Sequence, residues 1–262
     1  VMKSFFRAVS VLLLIVCCSA AAMAAPKGHL VIIGGGTRPD NVMEKFIELA
    51  GGRDARYLVI ANASKANGVS FVESFKALGV KDMEMIIPTR EQCEDPSYVA
   101  SKLEGVTGVF FSGGQQTSIA DAIRGTKMHE ALMKMYEEGA VIGGTSAGAA
   151  IMTDPMLVAK HEKEAVPFPD DDKYNGVRVI KARYMHTTGG LGFLPGAIID
   201  QHFLKRMRQN RMFSVALDNP YLTTIGIDES TALIVSKGNR IEVMGESSVM
   251  VVKPSKKSIR TN

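Results

Sequence analysis

Residues 140–152 read AVIGGTSAGAAIM. One apolar run enters this stretch, another leaves it, and between them stand only Gly, Ala, Thr and Ser. Small residues in that density mean that the backbone turns sharply or that something packs very close to it. Gly144-Thr145-Ser146-Ala147-Gly148 fits G-x-S-x-G, the nucleophile elbow, in which a strand turns into a helix through a strained serine whose hydroxyl projects from the sheet. The next backbone N–H, that of Ala147, then faces the oxyanion that acyl transfer develops. The competing reading is a glycine turn that binds phosphate or only packs tightly, and the strand-turn-helix context favours the nucleophile.

Outward from this point the same rhythm repeats. HLVIIGGGTRPD (29–40) reads as a strand ending in glycines, and NVMEKFIELAGG (41–52) as an amphipathic helix closed by glycine. RYLVIANAS (56–64), DMEMIIP (82–88) and TGVFFSGGQQ (107–116) are further strands. VSFVESFKALGV (69–80) and TSIADAIRGTKMHEALMKMYEEG (117–139) are helices between them. Strand-helix alternation predicts an α/β fold: three αβα layers around a largely parallel sheet, with every glycine turn at the carboxyl edge. There Gly113 or Gly114 is placed to lend a second oxyanion donor, and Gly114 is the preferred one. Neither GGG at 34–36 nor GGQQ at 113–116 completes the G-x-G-x-x-G dinucleotide fingerprint, so no nucleotide cofactor is expected.

Beyond Met152 the pattern loosens. PFPDDDKYNGVRV (167–179) reads as an exposed loop inserted over a site, GLGFLPGAIIDQHF (190–203) as a return to the sheet, and FLKRMRQNRMFSVAL (203–217) as a helix. TTIGIDESTALIVSKGNRIEVMGESSVMVVK (223–253) predicts an antiparallel finish. There are no repeats and no linker, so residues 26–262 are expected to form a single domain.

Residues 1–25, VMKSFFRAVSVLLLIVCCSAAAMAA, carry two positive charges, an apolar stretch and a final Ala-Met-Ala. That is the pattern of a cleaved secretory signal, with an apolar part shorter than the roughly 20 residues of a bilayer span. Export to the periplasm or the medium is expected, with no membrane attachment after cleavage. Loss of Lys3 and Arg7 would lower the formal charge of +4 by two, too little to argue for nucleic acid. Cys17 and Cys18 would leave with the signal. Cys93, alone in the remaining chain and flanked by acids in EQCEDP, is expected to be a bystander.

A nucleophilic serine needs a base. His29, His129 and His161 read as solvated or structural. His186, in YMHTTGG, is harder to dismiss, and His202, which follows the apolar run GAIID, is preferred. The orienting carboxylate is expected from Glu229 in IGIDES, with Asp228 and Asp200 as competitors. The chain order Ser, His, Glu differs from the Ser, Asp, His order of α/β-hydrolases. The remaining chain has neither H-E-x-x-H nor a Cys/His cluster, so no metal is expected.

The set SGGQQ, GGTSAGAA, DQHFLKRMRQNR and GIDESTA, in this order between about His29 and Val252, resembles the cyanophycinases, within the peptidase E family of serine peptidases. Their fold is similar to that of class I glutamine amidotransferases. The resemblance implies Ser146 as nucleophile, His202 as base and Glu229 as orienting acid, and it places Gln116, Asp200, Gln201, Arg206, Arg208 and Arg211 in the substrate site. Gln115 stands where the family's turn commonly has Asp. The implied substrate is cyanophycin, a polyaspartate with arginine on each side-chain carboxyl, and the implied product is β-Asp-Arg. Members are often dimers, so a homodimer is among the implied states. A guanidinium fork suits a substrate carboxylate, and on an ideal helix Arg208 and Arg211, unlike Arg206, share a face. The alternatives are a peptidase E type Asp-dipeptidase and a non-catalytic periplasmic binding protein on the same fold.

Overall fold

The computed structural model describes residues 25–158, 179–238 and 240–255. Residues 1–24 of the expected signal, His161 and nearly all of the expected 167–179 loop lie outside the described residues.

The first half alternates as expected: β1 (His29–Ile33), α1 (Asp40–Leu49), β2 (Arg56–Ile60), α2 (Lys65–Ala77), β3 (Asp82–Ile86), α3 (Arg90–Glu94), α4 (Pro96–Leu103), β4 (Val106–Phe111), α5 (Gln116–Ile123), α6 (Lys127–Glu138), β5 (Val141–Thr145) and α7 (Ala147–Ala150). The second half holds β6 (Met156–Val158), β7 (His186–Thr188), β8 (Ala197–Asp200), α8 (Gln209–Asp218), β9 (Thr223–Ile227), β10 (Thr231–Ser236), β11 (Arg240–Gly245) and β12 (Val249–Val252).

The main sheet runs β11-β10-β1-β5-β4-β2-β3. Its five strands from β1 to β3 are parallel, and β10 and β11 join antiparallel beside β1. From β1 through β2 to β3 the chain steps one way across the sheet, and from β3 through β4 to β5 it steps back. Right-handed crossovers therefore put α1 and α2 on one face and α3 to α6 on the other. The strand side chains divide accordingly. Val31, Ile33, Tyr57, Val59 and Phe110 pack with Phe46 of α1 and Phe71 and Phe75 of α2. Leu30, Ile32, Leu58, Ile60, Val109 and Phe111 pack with Val99, Ile119, Ile123, Met128 and Leu132. Two apolar layers enclose one sheet, which is the three-layer αβα arrangement.

Three expectations are corrected. The run 117–139 is two helices, because Gly125 adopts φ 74° and Thr126 starts α6 by accepting the His129 N–H on its hydroxyl. The 190–203 run does not rejoin the main sheet, since β8 forms a separate three-stranded sheet with β9 and β12. The helix expected over 203–217 begins only at Gln209, because His202 and Met207 have φ of 50° and 49° and the chain between them turns on itself. Propensity favoured a helix there, and tertiary hydrogen bonds overrode it. Two short helices, α3 and α4, were not expected. A reciprocal Thr89–Gln92 capping box starts α3, and Asp95 followed by Pro96 starts α4.

Candidate active site

The small residues around Ser146 are explained by two close approaches. A Cβ on Gly144 would lie 2.4 Å from the Gly148 carbonyl oxygen, and one on Gly148 would lie 2.3 Å from that of Phe111. Any larger residue would push α7 off β4 and β5. Ser146 itself has φ 53° and ψ −108°, and its N–H donates to the Ile33 carbonyl at 3.1 Å. A non-glycine residue in that conformation is strained, and the surrounding packing holds it there. The Ala147 N–H opens α7, so it has no acceptor within the helix. Gly113 abuts the serine from β4, where a Cβ would stand 3.4 Å from that of Ser146. Gly114 follows with φ 139°.

The base arrives from the second sheet. β8 ends at Asp200, and the His202 N–H donates to the Gly34 carbonyl at 2.6 Å, which brings the imidazole over the β1 turn. Gly35 is required there, since a Cβ would fall 2.3 Å from the ring carbon Cε1. Ser146 Oγ lies 2.8 Å from His202 Nε2, and His202 Nδ1 lies 2.6 Å from Glu229 Oε1. The carboxylate only accepts, so Nδ1 carries the proton and Nε2 is free to accept from the serine hydroxyl. Burial lowers the His202 pKa below its ordinary 6.5. The bond to Glu229 works the other way, and the charges of Arg206 and Arg208 add to the lowering. The imidazole is thus neutral and basic at neutral pH.

The competing candidates have other duties. Asp200 is fully engaged by Arg211, whose Nε donates to Oδ2 at 2.7 Å and whose Nη2 pairs with Oδ1. Asp228 Oδ1 accepts the N–H groups of Leu204 and Lys205 at 3.0 and 2.9 Å, and Oδ2 accepts Ser247 Oγ at 2.7 Å. It shapes the turn after His202 rather than touching the imidazole. His186 pairs in register with Val158 across β6 and β7. His29 meets Ser236 Oγ, and His129 meets the Leu191 carbonyl. Cys93 is buried, and burial pushes its thiol up to about 11, outweighing the nearby Arg90 that acts to lower it.

The arrangement is a serine on an elbow, a neutral imidazole and a carboxylate, drawn from the ends of β5, β8 and β9. Residues 30–243 match the model of peptidase family S51. The chain belongs to that family. As an S51 member it is a serine-type peptidase, and its relatives agree. It is 32% identical to a cyanophycinase of Geminocystis herdmanii, over 86% of this chain and 80% of that protein. It is 29% identical to a cyanophycinase of Trichormus variabilis, over 88% and 75%. Among solved structures it is similar in fold to a peptidase from an acI-B1 actinobacterium, with TM-score 0.64 and 21% identity, covering 89% of this chain and 94% of that one. It is likewise similar to a putative peptidase E protein from Listeria monocytogenes, with TM-score 0.57 and 14% identity, covering 84% and 99%.

Within this S51 chain the residues expected at the substrate site divide into three groups. Arg208 and Arg211 do converge, but on Asp200: Arg208 Nη1 stands 3.7 Å from Oδ1 while Arg211 grips both oxygens. Arg208 Nη1 also donates to the Gln201 side chain at 2.9 Å, while its Nε is buried with no partner among the described residues. Burial first, and then Arg211, press the Arg208 pKa down, with Asp200 opposing. Asp200, Gln201, Arg208 and Arg211 thus form one buried cluster behind His202. Arg206 is half-buried, and Gln116 donates to the Leu157 carbonyl at 3.1 Å. One contributor escaped sequence reasoning. Asn67, in the first turn of α2, donates from Nδ2 to the Gly113 carbonyl at 3.0 Å. The only local signal was its place just after the Ser64 cap.

Proposed function

We propose that this peptidase is exported and hydrolyses the polyaspartate backbone of cyanophycin to β-Asp-Arg dipeptides through an acyl-enzyme. The observation that carries the proposal is the Ser146–His202–Glu229 relay, with its bonds of 2.8 and 2.6 Å, in a chain whose curated relatives are cyanophycinases. Ser146 Oγ attacks the scissile carbonyl as its proton passes to His202 Nε2. Glu229 holds Nδ1–H and stabilises the imidazolium that forms. The oxyanion is held by the N–H groups of Ala147 and Gly114. Collapse expels the amine with the proton from His202. Water, deprotonated by the same imidazole, then adds to the ester, which breaks to free the acid and restore the serine. The N-terminal segment with its Ala-Met-Ala ending supports export.

A second reading, an Asp-dipeptidase, draws support from Arg211, whose fork is engaged by Asp200 and so is not open to a substrate carboxylate. The discriminating experiment compares hydrolysis of insoluble cyanophycin with that of Asp-Leu, alongside labelling by a fluorophosphonate. Cyanophycin is expected to be preferred, and Ser146→Ala is expected to lose labelling and several powers of ten in turnover. Hydrolysis of Asp-Leu alone would reject cyanophycin as substrate. Labelling that survives Ser146→Ala would reject the nucleophile.

A further inference from the structure

The β1–α1 turn that lies under His202 and Glu229 leads to a guanidinium that the relay does not use. Arg38 lies over the buried Phe71 ring, 4.2 Å from its centroid. Its Nη2 donates to Ser70 Oγ at 3.2 Å and to Ser74 Oγ at 3.3 Å. Those bonds use one of its three nitrogens, and among the described residues it meets no carboxylate, although the side chain is half-buried. Burial lowers its pKa, as expected of a cation drawn partly out of water without a counter-ion. A groove of about 800 Å³ runs past it, and Gly36, Thr37, Asp40 and Glu229 line it too.

Asp40 and Glu229 make the same walls negative, so a plain anion would be repelled. A ligand that suits all three side chains carries a carboxylate and a cation together. We propose that this groove is a subsite for an arginyl branch of the substrate away from the scissile bond, its α-carboxylate on Arg38 and its guanidinium towards Asp40. The inference rests on the cyanophycin reading above. Each branch of that polymer is an arginine bound through its α-nitrogen, which leaves both charged groups free. The Phe71 face and the two hydroxyls already hold the Arg38 plane, so little side-chain freedom is lost on binding. Ser146 Oγ and Glu229 Oε1 are separated by one imidazole and hydrogen bonds of 2.8 and 2.6 Å. That path is about two extended residues long, so the groove stands off from the cleaved bond itself.

The test is a length series of β-Asp-Arg oligomers and the polymer, hydrolysed by the unsubstituted enzyme and by Arg38→Gln and Arg38→Lys, with thermal unfolding of each. For Arg38→Gln, KM is expected to rise about tenfold on long chains, with the effect fading on oligomers too short to reach the groove. Arg38→Lys is expected to recover part of it. An equal loss at every length, or an equal loss in fluorophosphonate labelling of Ser146, would make Arg38 a structural pin and overturn the inference. An unchanged KM on the polymer would overturn it too. If the unsubstituted enzyme does not cleave cyanophycin at all, the proposed function fails instead, which is a separate outcome.

Discussion

At the scale of single residues, Asn67 has the clearest hidden duty. A trans peptide is planar, with its C=O and N–H pointing opposite ways, so a donor that fixes the Gly113 carbonyl also aims the Gly114 N–H. Asn67→Asp replaces the donor by an acceptor and is expected to lower kcat roughly tenfold with little change in KM, less than outright loss of an oxyanion donor. Steady-state kinetics check this, and a change confined to KM would count against it. His202 supplies a second prediction. The base must be neutral, so kcat/KM falls as pH drops through its pKa, and burial puts that limb below 6.5. Arg206 contributes to the lowering, so Arg206→Gln is expected to move the limb to higher pH, whatever it does to the plateau. A limb that stays put, or moves down, would show that Arg206 does not act on the imidazole.

At the scale of elements, β8 and α8 are clasped by Asp200 and Arg211, which are 2% and 6% exposed. The fork fits the carboxylate through two bonds, and breaking such a buried pair from one side leaves an uncompensated charge. Arg211→Met is expected to cost about 3–5 kcal/mol in urea unfolding, and Asp200→Leu/Arg208→Met/Arg211→Met, which also removes the Arg208 charge that faces Asp200, less than the sum of its three single changes. Additive losses would mean that the three charges are not coupled. The next element, the turn 203–208, falls within the helix that the sequence predicts over 203–217, because its residues are good helix formers. Asp228 decides otherwise by accepting two consecutive N–H groups there. That acceptor is more than 20 residues away in sequence, so no local signal reveals it.

At the scale of the whole molecule, the site joins two sheets. The Gly34 N–H donates to the Thr231 carbonyl, Gly34 accepts from His202, and Phe203 donates to the Ile227 carbonyl. These bonds tie β1, β9 and β10 to the turn that carries the base. One cooperative transition is therefore expected, with activity and far-UV circular dichroism lost at the same denaturant concentration. Activity lost well before the dichroism would show that the three-stranded sheet opens alone.

Local sequence determined the parallel strands, the helices on both faces and the elbow at Ser146, because apolar period and glycine punctuation are written within a dozen residues. It also singled out Ser146, His202 and Glu229, since each follows an apolar strand. The separation of β8, β9 and β12 from the main sheet, the late start of α8 and the capture of Arg211 by Asp200 were decided only by tertiary structure. Each depends on partners far apart in the chain. A buried polar group must find its hydrogen bonds wherever the fold provides them, and in these places that requirement outweighed propensity.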